Sequence, residues 1–171
     1  KIGGNQGLKV ITPVYGGGNP AALRIQAAMD WSGMSGSLTL AQGTIELNNT
    51  TPTVAEASNV LLPAQRFILG TEGLAFVAFT GTVASKQTIG ALDGTENAYI
   101  TAKSNISTGV ATLAIGIDNQ NGNYEGSFGI GQVGASGDMG RLDLAKGGRG
   151  TQVLSGIIHN AVSGSSSTQV T

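Results

Sequence analysis

Short runs in which apolar and polar residues alternate recur along almost the whole chain. Leu38-Thr39-Leu40 and Ala111-Thr112-Leu113-Ala114-Ile115 are two examples, and β-branched residues are frequent in such runs. Alternation with a period of two residues is typical of a β-strand that buries one face. The pattern therefore predicts an all-β protein. The predicted strands are Leu38–Leu40, Thr44–Leu47, Arg66–Leu69, Ala75–Phe79, Ala98–Thr101, Ala111–Ile115 and Gly140–Leu144.

Two stretches have helical features. Pro20–Met29 begins with a proline suited to the first helical position and is rich in residues of high helix propensity, although Leu23-Arg24-Ile25 also fits a strand. Thr53–Leu62 carries Glu56 three residues after Thr53, which is the spacing of a capping box. The alternative there is a loop that leads into a strand. The prediction is an all-β fold with room for one short helix.

Turn-forming residues are unusually abundant. Gly, Thr, Ser and Asn make up 70 of the 171 residues, and Gly and Asn accept the positive φ angles of tight turns. No strong boundary interrupts the pattern, so residues 1–171 are predicted to form a single domain. We expect residues 1–20 to be an irregular N-terminal segment. Residues 161–171 should be an exposed Ser-rich end in which Thr168-Gln169-Val170 starts another strand.

Charge and cysteine content exclude several classes of protein. Charged residues are 11% of the chain and the net charge is −1, which argues against a nucleic-acid binder because such a protein needs a clustered cationic surface. Without cysteine, neither a disulfide framework nor a thiolate metal site can form. No apolar run approaches the ~20 residues of a membrane span. The chain starts at Lys1 without a signal peptide, so we expect a processed product or a fragment.

Four Gly- and Thr-rich segments follow one another along the chain: Gly43–Asn49, Lys86–Thr95, Leu113–Gly126 and Leu144–Gly156. In motif and in order they resemble the repeats of autotransporter-associated β-strand proteins, which are large secreted passenger proteins of bacteria. The second segment, K-Q-T-I-G-A-L-D-G-T, is close to the N-Q-T-I-G-S-L-S-G-T of that repeat. The resemblance covers roughly residues 38–160.

The resemblance implies a right-handed parallel β-helix, or β-solenoid, in which short strands of successive turns pair in parallel and bury a shared core. At roughly 20–30 residues a turn, the chain would make about six to eight turns, with Gly, Asn and Asp at the corners. A β-sandwich and a trimeric fibre-type β fold are the alternatives. The residues expected to point inward are Leu40, Ile45, Leu47, Leu69, Val77, Ile89, Leu92, Leu113, Ile115, Leu142 and Leu144.

Catalytic chemistry finds little support in the sequence. His159 is the single histidine, Ser155 lies near it, and no G-x-S-x-G elbow is present, so a strand or surface role is favoured. Paired carboxylates could cleave glycans, but the ten acids are scattered, and most lie beside Gly or Asn. We therefore expect no enzyme, no catalytic residues and no cofactor-binding residues. The closest acidic pairs are Asp93/Glu96, Asp118/Glu125 and Asp138/Asp143.

One polar segment, Asp118–Glu125, concentrates oxygen-bearing side chains. Hard oxygen ligands suit calcium, so Asp118, Asn121 and Glu125 are candidate Ca²⁺ ligands. The segment does not fit an EF-hand loop, because Gln120 and Gly122 occupy ligand positions, and a polar turn is the alternative reading.

Two glycine-rich stretches and the bulky aromatics have structural interpretations. Gly16–Gly18 and Gly147–Gly150 lack the Lys-Ser/Thr ending of a P-loop and are expected to be turns. Trp31, Phe67, Phe76 and Phe79 are expected in the core rather than on a sugar-stacking platform.

These observations favour a non-catalytic extracellular structural protein, such as a surface fibre, sheath or adhesin passenger. It would be secreted or lie at the cell surface and would associate with itself through stacked β-strands, with cell-surface glycans as further partners. We expect no nucleic-acid partner and no transmembrane segment. The alternative is the receptor-binding trimeric fibre or knob of a bacteriophage, since such tips are also Gly/Thr/Asn-rich, cysteine-free and all-β.

Overall fold

The fold is a parallel β-helix. A computed structural model describes residues 3–4, 7–12, 23–26, 33–49, 65–81, 86–102, 111–129, 142–159 and 168–170. All regular structure in these residues is β-strand, and every registered strand pair among them is parallel. A β-sandwich built from antiparallel sheets is therefore wrong. The right-handed sense of the coil stays a prediction.

The strands line three sides of the coil, and one long strand turns the corner between two of them. Side 1 contains β2 (Leu8–Ile11), the first part of β5 (Leu38–Asn49), β6 (Arg66–Leu69), β9 (Ala91–Gly94), β12 (Gly122–Tyr124) and β15 (Gln152–Leu154). Side 2 contains β3 (Leu23–Gln26), the second part of β5, β7 (Ala75–Gly81), β10 (Ala98–Ala102) and β13 (Ser127–Phe128). Side 3 contains β8 (Lys86–Ile89), β11 (Ala111–Ile115), β14 (Leu142–Lys146) and β16 (Thr168–Val170). Two short strands, β1 (Gly3–Gly4) and β4 (Gly33–Met34), pair with each other.

Where the structure describes all three sides, a turn of the coil, here called a level, passes side 3, side 1 and side 2 in chain order. Thus β8, β9 and β10 form one level, and β11, β12 and β13 form the next. Tyr124 pairs with Gly94 below it and Leu154 above it, each 30 positions away. This spacing agrees with the repeat length expected from the sequence.

The core runs along the axis as columns of apolar side chains. Ile45, Val77, Ile100 and Phe128 are in register on consecutive levels of side 2, and each is at most 2% exposed. All residues predicted to point inward are buried, with exposed fractions of 3% or less. One level alone could not exclude water from these side chains, so stacking on its neighbours stabilises it.

Of the two readings of Pro20–Met29, helix and strand, the structure supports the strand where it describes the segment. Leu23–Gln26 is strand β3, and Leu23 and Ile25 pair with Ile45 and Leu47 of β5. Ile25 is buried at 1% exposure. Pairing with a neighbouring level and burial of Ile25 outweigh the modest helix propensity of the segment. The other helical candidate, Thr53–Leu62, lies outside the described residues.

The chain termini also contain strands. β1 and β2 lie within residues 1–20, which were expected to be irregular, and β2 pairs with β5. At the other end β16 pairs with β14, which confirms the strand predicted at Thr168-Gln169-Val170. The described residues contain no helical segment with the length and hydrophobicity of a membrane span.

Candidate functional site

Two of the candidate calcium ligands, Asp118 and Asn121, lie at the corner between side 3 and side 1, whereas Glu125 follows β12 at the corner between side 1 and side 2. Strand β11 ends at Ile115, and the chain turns through Gly116 and Asn119, which have positive φ angles of 88° and 65°. The Gly116 N–H donates to the carbonyl of Ile89 on the level below, at 3.0 Å. Gly and Asn are the residues that adopt this conformation most readily, so the polar composition of the segment builds the corner.

Each candidate ligand contacts a different partner. Asp118 Oδ1 accepts from the Gln120 N–H at 3.1 Å, and Asn121 Oδ1 accepts from the Thr151 N–H at 2.7 Å. Glu125 Oε1 accepts from Asn123 Nδ2 at 3.0 Å. These contacts are those of a turn and of neighbouring levels, which is what the polar-turn interpretation requires.

One oxygen of this corner remains without a hydrogen bond. Asp118 Oδ2 is shielded from solvent and has no partner in the described part of the chain. The carboxylate lies directly over Gly90 of the level below, where an added Cβ would be 2.3 Å from Oδ2. Among the described residues, no three His, Asp or Glu side chains come together as a metal site would require. Among the described residues, Asp118 Oδ2 is the one carboxylate oxygen that is both shielded from solvent and without a hydrogen bond.

Two asparagines carry the hydrogen-bond pattern of the strands around the corner. Asn119 Oδ1 accepts from the Arg149 N–H at 2.7 Å, just as Asn121 does from Thr151, and both partners are 30 residues further along. Only glycine has room at position 148, because an added Cβ would be 1.9 Å from the carbonyl oxygen of Gly116 on the level below. Gly147–Gly150 is therefore a closely stacked corner, as predicted, whereas Gly16–Gly18 lies outside the described residues.

A charged cluster crosses three levels on the outer surface of side 1. The Arg66 guanidinium pairs with Asp93 Oδ2, and its other nitrogen donates to the main-chain carbonyl of Asn121 at 2.9 Å. Asp93 Oδ1 accepts from the Asn123 N–H at 2.9 Å. Both oxygens of Asp93 therefore have a partner, one an arginine and the other a main-chain amide. This arrangement is typical of a structural carboxylate.

The structure describes the single histidine and seven of the ten acids. The main-chain N–H groups of His159 and Ser155 donate to Phe128 and Tyr124, respectively, on the level below. His159 Nε2 is shielded and lacks a hydrogen-bond partner among the described residues. Glu46 is buried on side 2 and has an interaction partner. Asp30, Glu56 and Asp138 lie outside the described residues.

The aromatic side chains mostly fill the interior. Phe67 and Phe79 are at most 1% exposed and belong to the core cluster, in agreement with the prediction, while Trp31 lies outside the described residues. Phe76 is buried at 5% exposure, but on the face of β7 opposite Val77 and outside the core cluster. Phe76 stacks on Tyr99 with ring centres 5.0 Å apart. Tyr124 is fully buried, packs against Phe128 and donates its hydroxyl to the Ser127 carbonyl at 3.2 Å. Burial raises the pKa of the Tyr124 phenol well above its ordinary value, and Tyr99 raises it further.

A small apolar cavity of about 130 Å³ lies between sides 3 and 1 at β14 and β15. It is lined by Ile115, Leu144, Ala145, Lys146, Gln152 and Leu154. Lys146 Nζ donates to the carbonyls of Gly147 and Gly148, so its charge is already engaged. The cavity is comparable in size to one apolar side chain rather than to a cofactor.

Gln152 is the residue that sequence reasoning missed. Its side-chain amide bonds to both main-chain groups of Leu92, 60 residues earlier and two levels below, at 2.8 and 3.1 Å. A single glutamine in a three-residue strand gives no local signal of such a contact. Only the repeat spacing, which places Gln152 over Gly122 and Gly122 over Leu92, could have indicated it.

Comparisons of the chain with protein-family models, with curated proteins and with solved structures found no match. The resemblance to autotransporter-associated β-strand repeats therefore stays a prediction from the four motifs.

Proposed function

We propose that this chain is a non-catalytic extracellular structural protein: a segment of a surface fibre, sheath or adhesin passenger. The carrying observation is the coil itself, in which apolar columns and polar corner groups connect each level with the next. The corner asparagines and the Arg66–Asp93 pair bond to neighbouring levels. These hydrogen bonds and the ion pair connect the levels into a continuous rod.

Association with further β-strands is the second part of the proposal. Val153, Ile157 and Ile158 are 47%, 60% and 41% exposed, and they lie together in and after β15. Among the described residues, β15 is the last strand of side 1. An apolar strand at the edge of a sheet is a template for another strand, and the low charge of the chain opposes association only weakly.

Electron microscopy combined with fibre diffraction tests this function. We expect rods or filaments whose strands repeat about every 4.8 Å along the axis. Val153→Lys should shorten or abolish the filaments, because a charge at an edge strand opposes further pairing. Ile117→Lys is the matched control, since Ile117 is 53% exposed but lies in a corner rather than in an edge strand.

Three results would contradict the proposal. A particle that remains monomeric at high concentration would exclude assembly through strands. A stable trimer in light scattering would favour the bacteriophage receptor-binding fibre. Cleavage of a bacterial or plant polysaccharide by the purified protein, lost on Asp93→Asn, would identify an enzyme.

A further inference from the structure

The main-chain ladder of side 1 is interrupted between β9 and β12. Among the described residues these strands share one registered pair, Gly94 with Tyr124, whereas β6 and β9 pair along their whole length. In a regular parallel ladder, the N–H and C=O of Leu92 would bond to the carbonyl of Asn121 and the N–H of Asn123. We call this interrupted step the seam.

Side chains satisfy all four main-chain groups of the seam. Both groups of Leu92 bond to the Gln152 amide, with Leu92 N to Oε1 at 3.1 Å and Nε2 to the Leu92 carbonyl at 2.8 Å. The Asn121 carbonyl accepts from Arg66 at 2.9 Å, and the Asn123 N–H donates to Asp93 at 2.9 Å. The Gln152 side-chain amide therefore makes its hydrogen bonds on one face of the sheet, and the Arg66–Asp93 ion pair makes its hydrogen bonds on the other.

Gly122 makes the Gln152 contact possible. Gln152 lies directly above Gly122, and its side chain must pass that residue to reach Leu92. A Cβ on Gly122 would be 2.4 Å from Gln152 Oε1 and 2.5 Å from the Leu92 carbonyl oxygen. Any larger residue at this position would displace the amide.

We propose that the seam is a two-state joint in the coil. In the strapped state, which the structure describes, Gln152, Arg66 and Asp93 hold the four groups. In the zipped state the side chains withdraw, and Leu92 bonds to Asn121 and Asn123. The register needed for zipping is already set by the Gly94–Tyr124 pair on the same strands.

All four main-chain groups are satisfied in both states, by four side-chain hydrogen bonds in the strapped state and by two main-chain hydrogen bonds in the zipped state. The side-chain bonds lost on zipping are offset because the polar groups of Gln152, Arg66 and Asp93 return to water and the side chains regain rotamer freedom. Sides 2 and 3 stay paired across the same two levels through Tyr99–Ser127, Ile100–Phe128 and the β8–β11 register. The joint changes the spacing on one side of the coil only, so switching bends the rod.

NMR on the full chain tests the joint by identifying which group accepts the hydrogen bond of the Leu92 main-chain N–H. In the wild type we expect exchange broadening at Leu92 and Asn123 on the microsecond-to-millisecond timescale, and no such broadening at Val77. Gln152→Ala should leave only the zipped state. The broadening then disappears, and a through-hydrogen-bond coupling appears between the Leu92 N–H and the Asn121 carbonyl.

Gly122→Ala should give the same result as Gln152→Ala, because the added methyl group excludes the amide. Gln120→Ala and Gly147→Ala are the controls: Gln120 is exposed, and a Cβ on Gly147 would meet nothing closer than 3.9 Å. Both should keep the wild-type broadening. The proposal is overturned if the Leu92 amide of Gln152→Ala exchanges with solvent more than about tenfold faster than in the wild type. It is also overturned if the wild type shows no broadening, or already shows the coupling to Asn121.

Discussion

Individual residues at the corner after β14 differ sharply in the space around them. Gly148 has φ +62°, and an added Cβ would be 1.9 Å from the Gly116 carbonyl oxygen. A Cβ added to its neighbour Gly147 would make only an ordinary van der Waals contact, with the Ile115 carbonyl oxygen at 3.9 Å. The requirement for glycine thus comes from the level below rather than from the turn alone.

Gly148→Ala should lower the free energy of unfolding by about 2 kcal/mol or more, because positive φ and a contact with main chain act together. Gly147→Ala should change it by less than about 0.5 kcal/mol. Urea denaturation followed by circular dichroism measures both variants. Equal effects of the two substitutions would contradict the stacked-corner interpretation.

Tyr124 makes stability depend on pH in the alkaline range. Burial, and secondarily Tyr99, raises the pKa of this phenol above its ordinary value of 10.0. The resulting stability is complete below pH 10 and is lost as pH rises further, because only the unfolded chain then releases the proton.

At pH 8, Tyr124→Phe should be less stable than the wild type by about 1 kcal/mol, through loss of the hydroxyl bond to Ser127. Above pH 10 the difference in unfolding free energy between the variant and the wild type should narrow. Urea titrations at pH 8 and pH 11 measure this difference, and a difference that stays constant would contradict the assignment.

At the scale of elements, alternation along each strand decides which side chain stabilises the coil. In β5, Leu40 is fully buried and packs in the core, whereas Thr39 is half-exposed on the opposite face. Leu40→Ala should cost about 2–5 kcal/mol, from lost burial and the cavity left behind. Thr39→Ala should cost less than about 0.5 kcal/mol. Thermal and urea unfolding of both variants provide the comparison, and a Thr39→Ala cost as large as that of Leu40→Ala would show that the strand faces are assigned the wrong way round.

Strand β3 shows why the residues of an element can leave its conformation undecided. Leu23-Arg24-Ile25 fits a strand, but the flanking residues favour a helix, and the local free-energy difference between the two is small. Residues 45–48, in the second part of β5, pair in register with all four residues of β3. The neighbour that decides the conformation lies 22 positions away, at Ile45 for Leu23.

For the whole molecule, stability should be shared between adjacent levels. Val77 lies in the column between Ile45 and Ile100 and is 2% exposed. In a stacked repeat each level is stabilised mainly by its nearest neighbours. A defect in one level should therefore weaken the levels next to it and leave distant levels nearly unchanged.

Val77→Ala tests this coupling. Hydrogen exchange followed by mass spectrometry should show faster exchange in β5, β7 and β10, with little change in β14. The expected loss is about 1–3 kcal/mol of local opening free energy. A uniform increase across the chain would instead indicate that the coil unfolds as a single cooperative unit.

The sequence by itself determined the strand content, most strand positions, the inward residues and the glycine- and asparagine-rich corners. These features depend on alternation over a few residues and on the φ preferences of Gly and Asn, so they can be read locally. Tertiary structure decided between strand and helix at Leu23–Gln26, placed Asn121 against Thr151 and brought Gln152 to Leu92. Each of these outcomes depends on residues 22 to 60 positions away, because in a coil the neighbours of a side chain belong to the levels above and below it.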